Sequence, residues 1–288
     1  MNILTFDIEE WFHCDFVSEP DTWINYEVRI HSATDLILET LDDRNLKGTF
    51  FILGWIAEKY PEVIKKISSN GHEIACHSNL HKLVYKMDCK SFRQDTEYSI
   101  KLLEDIIGER IDTYRAPGFS ITEKNTWALE ILIELGIKND CSIFPSNHDY
   151  GGFPSFGNCF PSIIDINGCQ LREFPMNTIG LLKKQFVFSG GGYFRLIPYF
   201  IIKHWTLKSD YVMSYFHPRD FDFKQPRLSH LPLGRKFKSY VGLRKAYPKF
   251  VKWITDFNVL SLREASKQID WSKVKIISIE PTDTQIKR

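Results

Sequence analysis

Two histidines four residues apart end the run Glu73-Ile74-Ala75-Cys76-His77-Ser78-Asn79-Leu80-His81. On a helical turn that spacing aims both rings the same way, because residues four apart share a face. Two imidazoles converging on one point hold a divalent metal of the zinc type once a third ligand joins them. An isolated pair with this spacing is more often a turn cap and a surface histidine. Near the start of the chain two acids, Asp7 and Glu9, follow the apolar run 2–6, either as part of a site or as solvated loop carboxylates. Alternate side chains of a strand share a face, so Asp7 and Glu9 project together while Ile8 turns into the core. Two adjacent carboxylates at a strand end are costly unless a cation or an arginine compensates them.

The elements that must position these groups follow an α/β rhythm. Residues 2–6 and 48–53 are buried apolar strands. Between them Ala33, Leu36, Ile37 and Leu41 recur at helical spacing, which predicts an amphipathic helix over 32–45. Residues 57–69 predict a second helix, with Pro61 in its first turns and Gly71 past its end. Residues 73–76 form a third strand, with the histidine pair at its far end. Strand, helix, strand, helix, strand implies a parallel sheet, whose chemistry gathers at the carboxyl ends of the strands. Asp7, Glu9, His77 and His81 all fall on that edge. A third helix over 91–107 is closed by Gly108, and a strand end at 113–115 turns into a loop through Ala116, Pro117, Gly118 and Phe119. Thr122 caps the next helix, which Gly136 closes. Residues 140–168, rich in Gly, Pro and aromatics, read as an elaborated loop over the site. Strands follow at 171–175 and 211–216, the latter delivering His217 to the same edge, and 259–262 is the last strand, with a loose tail after about residue 279. The run Gly190-Gly191-Gly192 lacks both GxGxxG spacing and the Lys-Ser/Thr of a P-loop, so it reads as a backbone packing turn.

With 288 residues, 43% hydrophobic and 25% charged, the chain has the composition of a soluble globular domain with a large core. A formal net charge of +1 gives no general case for nucleic acid. A basic, apolar leader is absent and no run of about eighteen apolar residues occurs. No membrane span and a cytoplasmic location are therefore expected. Six cysteines (Cys14, Cys76, Cys89, Cys141, Cys159, Cys169) lack C-x-x-C spacing and are expected to be reduced. Residues 227–253 are basic, with Arg235, Lys236, Lys238, Arg244, Lys245, Lys249 and Lys252 interleaved with aromatics. A solvated amphipathic helix is the first reading of that segment. Peripheral contact with anionic lipid or a polyprenyl-linked substrate, at the inner membrane surface, is the second.

Taken in order, Phe6-Asp7-Ile8-Glu9, His77-Ser78-Asn79-Leu80-His81, Arg115-Ala116-Pro117-Gly118 and His217 resemble the motifs of the polysaccharide deacetylases. These are the NodB-homology carbohydrate esterases of family 4. Residues 190–196 and 216–222 resemble the subgroup found in exopolysaccharide loci, and the likeness covers about residues 1–265. It implies an α/β fold, a distorted (β/α)7-type barrel, as one domain over 1–288 with an elaborated loop region and a C-terminal extension over 266–288. It also implies roles. Asp7 resembles the general base, Glu9 the metal carboxylate, and His77 and His81 the metal histidines. Arg115 resembles the arginine that holds the base, Gly118 beside Pro117 the backbone oxyanion donor, His217 the general acid, and Asp140 the aspartate that pairs with that acid. The family's usual adjacent Asp-Asp pair is Asp-x-Glu here, which keeps Glu10 in reserve as the metal carboxylate, and Lys82 stands where a proline often follows the second histidine. The implied cofactor is a divalent metal, Zn²⁺ first, with Co²⁺, Ni²⁺ or Mn²⁺ able to replace it. The implied partner is an N-acetylated sugar in a polysaccharide, an oligosaccharide or a lipid-linked glycan, with the oligomeric state open. Trp11, Phe12 and Tyr150 are candidates to stack on sugar rings. Two alternatives stand beside this one: an amidohydrolase of a small cyclic amide or ureide, and a non-catalytic carbohydrate-binding module.

Overall fold

A computed structural model of the chain describes residues 1–13, 19–147, 150–181, 184–229 and 231–282. Cys14 lies outside the described residues. Six parallel strands build the wall that carries the chemistry: β2 (Thr5–Ile8), β3 (Thr49–Ile52), β4 (Glu73–Cys76), β5 (Thr113–Tyr114), β6 (Asn139–Asp140) and β8 (Cys169–Glu173). Strand β7 (Ser162–Ile166) pairs antiparallel with β8, and β12 (Lys275–Ser278) pairs parallel with β7. On the other side of β2 the wall curls round. Strand β1 (Asn2–Ile3) pairs with β11 (Val212–Met213), and Phe6 bridges Phe216. Among the described residues no ladder joins β11 to β12, so the barrel is distorted and incompletely closed. A separate hairpin joins β9 (Ile179–Leu181) to β10 (Lys184–Phe186).

Helices cover the outside. They are α1 (Ile30–Asp42), α2 (Gly54–Lys59), α3 (Pro61–Ser69), α4 (Cys89–Ile107), α5 (Trp127–Glu134), α6 (Gly191–Leu196), α7 (Tyr199–Lys208), α8 (Pro218–Phe221), α9 (Leu233–Tyr240), α10 (Leu243–Asp256) and α11 (Leu262–Gln268). Two show their local cause plainly. Asp88 accepts from Ser91 N–H to cap α4, and Gly108 in the left-handed region ends it. Ser261 and Glu264 form a capping box at α11. Beneath α8 and α10 the core is aromatic: Phe6 stacks on Phe50 at 4.8 Å, and Phe216 packs edge-on against Phe194 and Phe250.

Several sequence expectations need correction. The helix expected over 57–69 is two helices, because Pro61 supplies an N1 residue without an N–H and starts its own helix, with Tyr60 as the N-cap. The helix expected from Thr122 begins at Trp127, since Thr122 and Asn125 spend their side chains on a turn between themselves. The loop expected over 140–168 contains β7, whose Ser162, Ile164 and Ile166 point inward at period two. The expected tail over 266–288 contains β12, which extends the sheet at its edge. Around Leu260 there is a single bridge to Ile3 in place of the last strand expected there. The basic segment breaks at Gly242 (φ 71°) into two amphipathic helices, α9 and α10, and α10 buries Phe250 and Trp253 while Arg244 and Lys245 stay exposed. The five described cysteines are free thiols. No helix among the described residues is long and apolar enough to cross a membrane.

Candidate active site

Parallel pairing fixes which residues meet. Phe6 is in register with Phe50, Phe50 with Ile74, and Cys76 with Tyr114, so β2, β3, β4 and β5 end in one row. Their next residues are the polar ones. Asp7 N–H donates to Phe216 O at 2.8 Å, which sets His217 beside Asp7 although 210 positions separate them in sequence.

Glu9 Oε1 lies 2.8 Å from His77 Nε2 and 3.0 Å from His81 Nε2. His77 Nδ1 lies 2.9 Å from Arg115 O, a carbonyl that only accepts, so Nδ1 carries the proton. With Nδ1 committed to that carbonyl, Nε2 is the atom His77 turns toward the Glu9 carboxylate, and at 2.8 Å a cation belongs between them, either the Nε2 proton or a metal. The ligand atoms of Glu9, His77 and His81 all lie within 4.8 Å of one another, and two imidazoles with one carboxylate match a catalytic metal set. Glu9 is buried, which raises its pKa, but the charge of His81 and the hydrogen bonds of both histidines outweigh burial and hold it well below the usual carboxylate range. The residues present fit a divalent metal.

The histidine pair reaches this geometry in a different way from the helical turn that the spacing suggests. Residues 77–81 are a loop past β4, with Ser78 (φ 64°) and His81 (φ 53°) in the left-handed region. Those two turns bring the rings together, their centroids 5.5 Å apart. Strained backbone of this kind persists where the surroundings over-determine it. Here Ser78 O accepts from Gly54 N–H and Asp95 accepts from Asn79 N–H.

Arg115 is fully buried, and its Nη1 donates to Asp7 Oδ1 at 2.6 Å and to Thr5 Oγ1 at 2.8 Å. Its guanidinium lies 4.0 Å from the centre of the Phe51 ring. Across from it, His217 Nε2 is 3.8 Å from Asp7 Oδ2. Gly118 (φ 59°) sits in a tight turn, where a Cβ would press on Leu83 and Tyr150 at 3.0 Å. Pro117 is the first residue of that turn and is buried. Among the described residues the Gly118 N–H donates to no protein acceptor.

Glu10 turns away from this cluster. Its Oε1 accepts from the backbone N–H groups of Arg29 and Ile30 at 2.6 and 2.7 Å, so it caps α1 from a distance. Asp140 does not meet His217. It accepts from Ser142 Oγ at 2.5 Å and pairs with Glu173, and burial raises the pKa of both carboxyls. The carboxylate on His217 is Asp220, whose Oδ2 is 3.1 Å from His217 Nδ1 and accepts the His217 backbone N–H at 2.9 Å. Sequence reasoning passed over Asp220, yet its signal was present. Pro218 is a helix N1 residue and Asp220 falls at N3, the capping-box position for His217. Trp11 and Phe12 are also misplaced as sugar platforms. Phe12 is fully buried and Trp11 is 6% exposed, both packed with Tyr26 and, for Phe12, Trp23 and Trp55. Rings enclosed on both faces offer none to a ligand. Tyr150, beside Gly118, remains at the site.

Parts of the chain are similar to known proteins. Residues 4–139 match the polysaccharide deacetylase family, and residues 141–267 match a domain of unknown function, DUF3473. A peptidoglycan-N-acetylglucosamine deacetylase of Bacillus cereus is 34% identical over 98 residues, 34% of this chain and 36% of that protein. Chitin deacetylase 1 of Cryptococcus neoformans is 25% identical over 124 residues, 40% of this chain and 26% of that protein. The chain thus spans about a third or less of these relatives' lengths. A crystal structure described as a polysaccharide deacetylase of Mycobacterium smegmatis aligns over 94% of this chain and 90% of that one, with a TM-score of 0.64 at 20% identity, a likeness of fold. By that family match residues 4–139, which carry most of the ordered motifs, form a polysaccharide deacetylase domain, and the barrel as a whole shares its fold with the Mycobacterium smegmatis protein.

Proposed function

We propose that the chain hydrolyses the N-acetyl group of an amino sugar carried in a polysaccharide, an oligosaccharide or a lipid-linked glycan. The observation that carries this reading is the placement of one carboxylate and two imidazoles beside a second, arginine-held carboxylate and a carboxylate-backed imidazole. Glu9, His77 and His81 would hold the divalent metal, Zn²⁺ first by donor type. When bound, it supplies a Lewis acid for the acetyl carbonyl and acidifies water.

The rest is chemistry of the chain's own side chains. Asp7, fixed by Arg115, takes a proton from the attacking water as its oxygen bonds to the acetyl carbon. The Gly118 N–H faces the oxygen that gains charge, and one such donor is typically worth about 2.7–4 kcal/mol. His217 delivers a proton from Nε2 to the nitrogen as the C–N bond breaks, so acetate and a free amine leave. Base and acid stand 3.8 Å apart, close enough to address one amide from two sides. Acetate release from N-acetylglucosamine oligomers is the test. Asp7→Asn is expected to abolish it while metal content stays near stoichiometric, and full activity in that variant would remove Asp7 from the base role.

A lipid-linked substrate is favoured by one surface feature. Helix α9 exposes Leu233 (85%) and Phe237 (56%) among Arg235, Lys236 and Lys238, the composition of a helix that rests on an anionic bilayer. Arg235 bonds Tyr150, which borders Gly118, so this helix lies at the edge of the site. Co-sedimentation with phosphatidylglycerol vesicles, lost in Leu233→Glu/Phe237→Glu, is the expected outcome. Equal recovery on phosphatidylcholine vesicles would overturn it.

A further inference from the structure

Arg195 ends the glycine-rich run and takes no direct part in the chemistry above. It is 7% exposed. Its Nε lies 3.1 Å from Asp220 Oδ1, the oxygen that does not face His217. Its other nitrogens donate to the main chain of α9, Nη1 to Ser239 O at 2.7 Å and Nη2 to Lys238 O at 3.0 Å. The backbone of Arg195 is held as firmly. Lys249 Nζ donates to the carbonyls of Phe194, Arg195 and Ile197 at 2.8, 3.0 and 2.6 Å.

The surrounding glycines make this placement possible. A Cβ at Gly190 would collide with the Tyr215 carbonyl, and Gly191 (φ 50°) donates its N–H to that carbonyl at 3.1 Å. Helix α6 thereby lies directly against the segment that carries His217, two residues on. A Cβ at Gly242 would collide with the Arg195 carbonyl. The packing turn read from the three glycines thus has a purpose: it lets an arginine reach the back of Asp220.

We propose that Arg195 is a positioning residue for the general acid, acting through Asp220 and anchored by the last turn of α9. This deepens the deacetylase reading and rests on it. Asp220 is buried, with one oxygen on Arg195 and the other on His217. The ion pair on one oxygen and the imidazole on the other oppose rotation of the carboxylate, so the imidazole keeps Nδ1–H on Asp220 and turns Nε2 toward the leaving nitrogen. Charge supports the same arrangement. Burial raises the Asp220 pKa, but Arg195 and His217 outweigh it and bring it down to about 2. The half of the chain that matches a domain of unknown function, residues 141–267, therefore supplies the acid, its carboxylate and the arginine behind them.

The test compares two substrates. An N-acetylglucosamine oligomer must have its leaving amine protonated, whereas 4-nitrophenyl acetate releases a phenolate that needs no proton. Arg195→Met is expected to lower kcat on the amide by about 10- to 100-fold with KM little changed, since a misplaced general acid costs about that much. The ester rate falls much less, and Arg195→Lys recovers part of the loss. Arg195→Met/Asp220→Asn should be no slower than Asp220→Asn alone, because both act through one imidazole. Amide and ester rates falling together, or additive losses, would overturn the proposal.

A second readout does not depend on the reaction. Nitrogen-15 NMR of labelled histidine should find the hydrogen-bonded Nδ1 proton of His217 in the native protein, and find it weakened in both Asp220→Asn and Arg195→Met. An unchanged resonance in Arg195→Met refutes the positioning role. A native protein inert toward every N-acetylated sugar but with this resonance sensitive to Arg195 would instead remove the deacetylase reading and leave the positioning intact. Should Arg195→Met fail to fold by circular dichroism, Arg195→Lys carries both comparisons.

Discussion

Replacing Arg115 with methionine separates the stabilising role of the buried ion pair from its chemical one. Arg115 has no exposed surface, and Asp7, its partner at 2.6 Å, is 3% exposed. Removing the guanidinium leaves a carboxylate inside the barrel without its counter-charge. Breaking a buried pair in this way costs about 3–5 kcal/mol, a large share of the roughly 5–15 kcal/mol that holds a domain together. At about 2–4 °C per kcal/mol for a domain of this size, the thermal midpoint should fall by roughly 6–20 °C. Methionine keeps most of the volume over Phe51, so the loss reports charge more than packing. Asp7→Asn/Arg115→Met should be clearly more stable than Arg115→Met, because it removes the stranded carboxylate as well. Metal content is the discriminating control. Arg115 touches His77 only through its main-chain carbonyl, which any residue supplies. The variant should therefore bind metal while losing deacetylation. Urea or thermal unfolding with elemental analysis measures all three quantities. A midpoint equal to that of the native protein, or metal lost along with activity, would refute the division of labour drawn here.

Two further outcomes follow from the same geometry. Glu9→Gln should lose metal, whereas Glu10→Gln should keep it and lose about 0.5–2 kcal/mol of stability, the usual worth of a helix cap; elemental analysis and urea unfolding separate the two glutamates, and metal loss in Glu10→Gln would reverse their assignment. The pH profile on the amide should carry an alkaline limb above the ordinary imidazole range. Burial lowers the His217 pKa, but Asp220, Glu9 and Asp7 outweigh it and raise it. The acid works only while protonated, so a raised pKa preserves activity to higher pH, and Asp220→Asn should bring that limb down. A limb that does not move would free His217 from Asp220.

The strand and helix order was legible over about the first 137 residues because apolar period and capping residues are local signals, as at Asp88 and Gly108 around α4. The polar groups at strand ends were legible for the same reason: parallel pairing puts whatever follows each strand on one edge. Where the reading failed, the cause was distant in sequence or solvent-dependent. Trp11 and Phe12 have the composition of a sugar platform, and only tertiary packing with Trp23, Tyr26 and Trp55 reveals that they are enclosed. Asp140 was assigned to His217 by family likeness alone, and a carboxylate three residues from the histidine occupies that place. Glu9 and Glu10 are adjacent and chemically alike; their roles diverge because a strand end turns one inward and the other onto α1. Strand β12 was missed because its alternation is weak and mostly exposed, as suits an edge.

The most direct test of the account is acetate release from N-acetylglucosamine oligomers by protein stripped with a chelator and then titrated with Zn²⁺. The account predicts no release from the stripped protein and recovery that saturates near one equivalent in the native chain. It predicts no recovery in His81→Ala, which lacks one of the three converging ligands. Full activity after stripping, or equal recovery in His81→Ala, would contradict it.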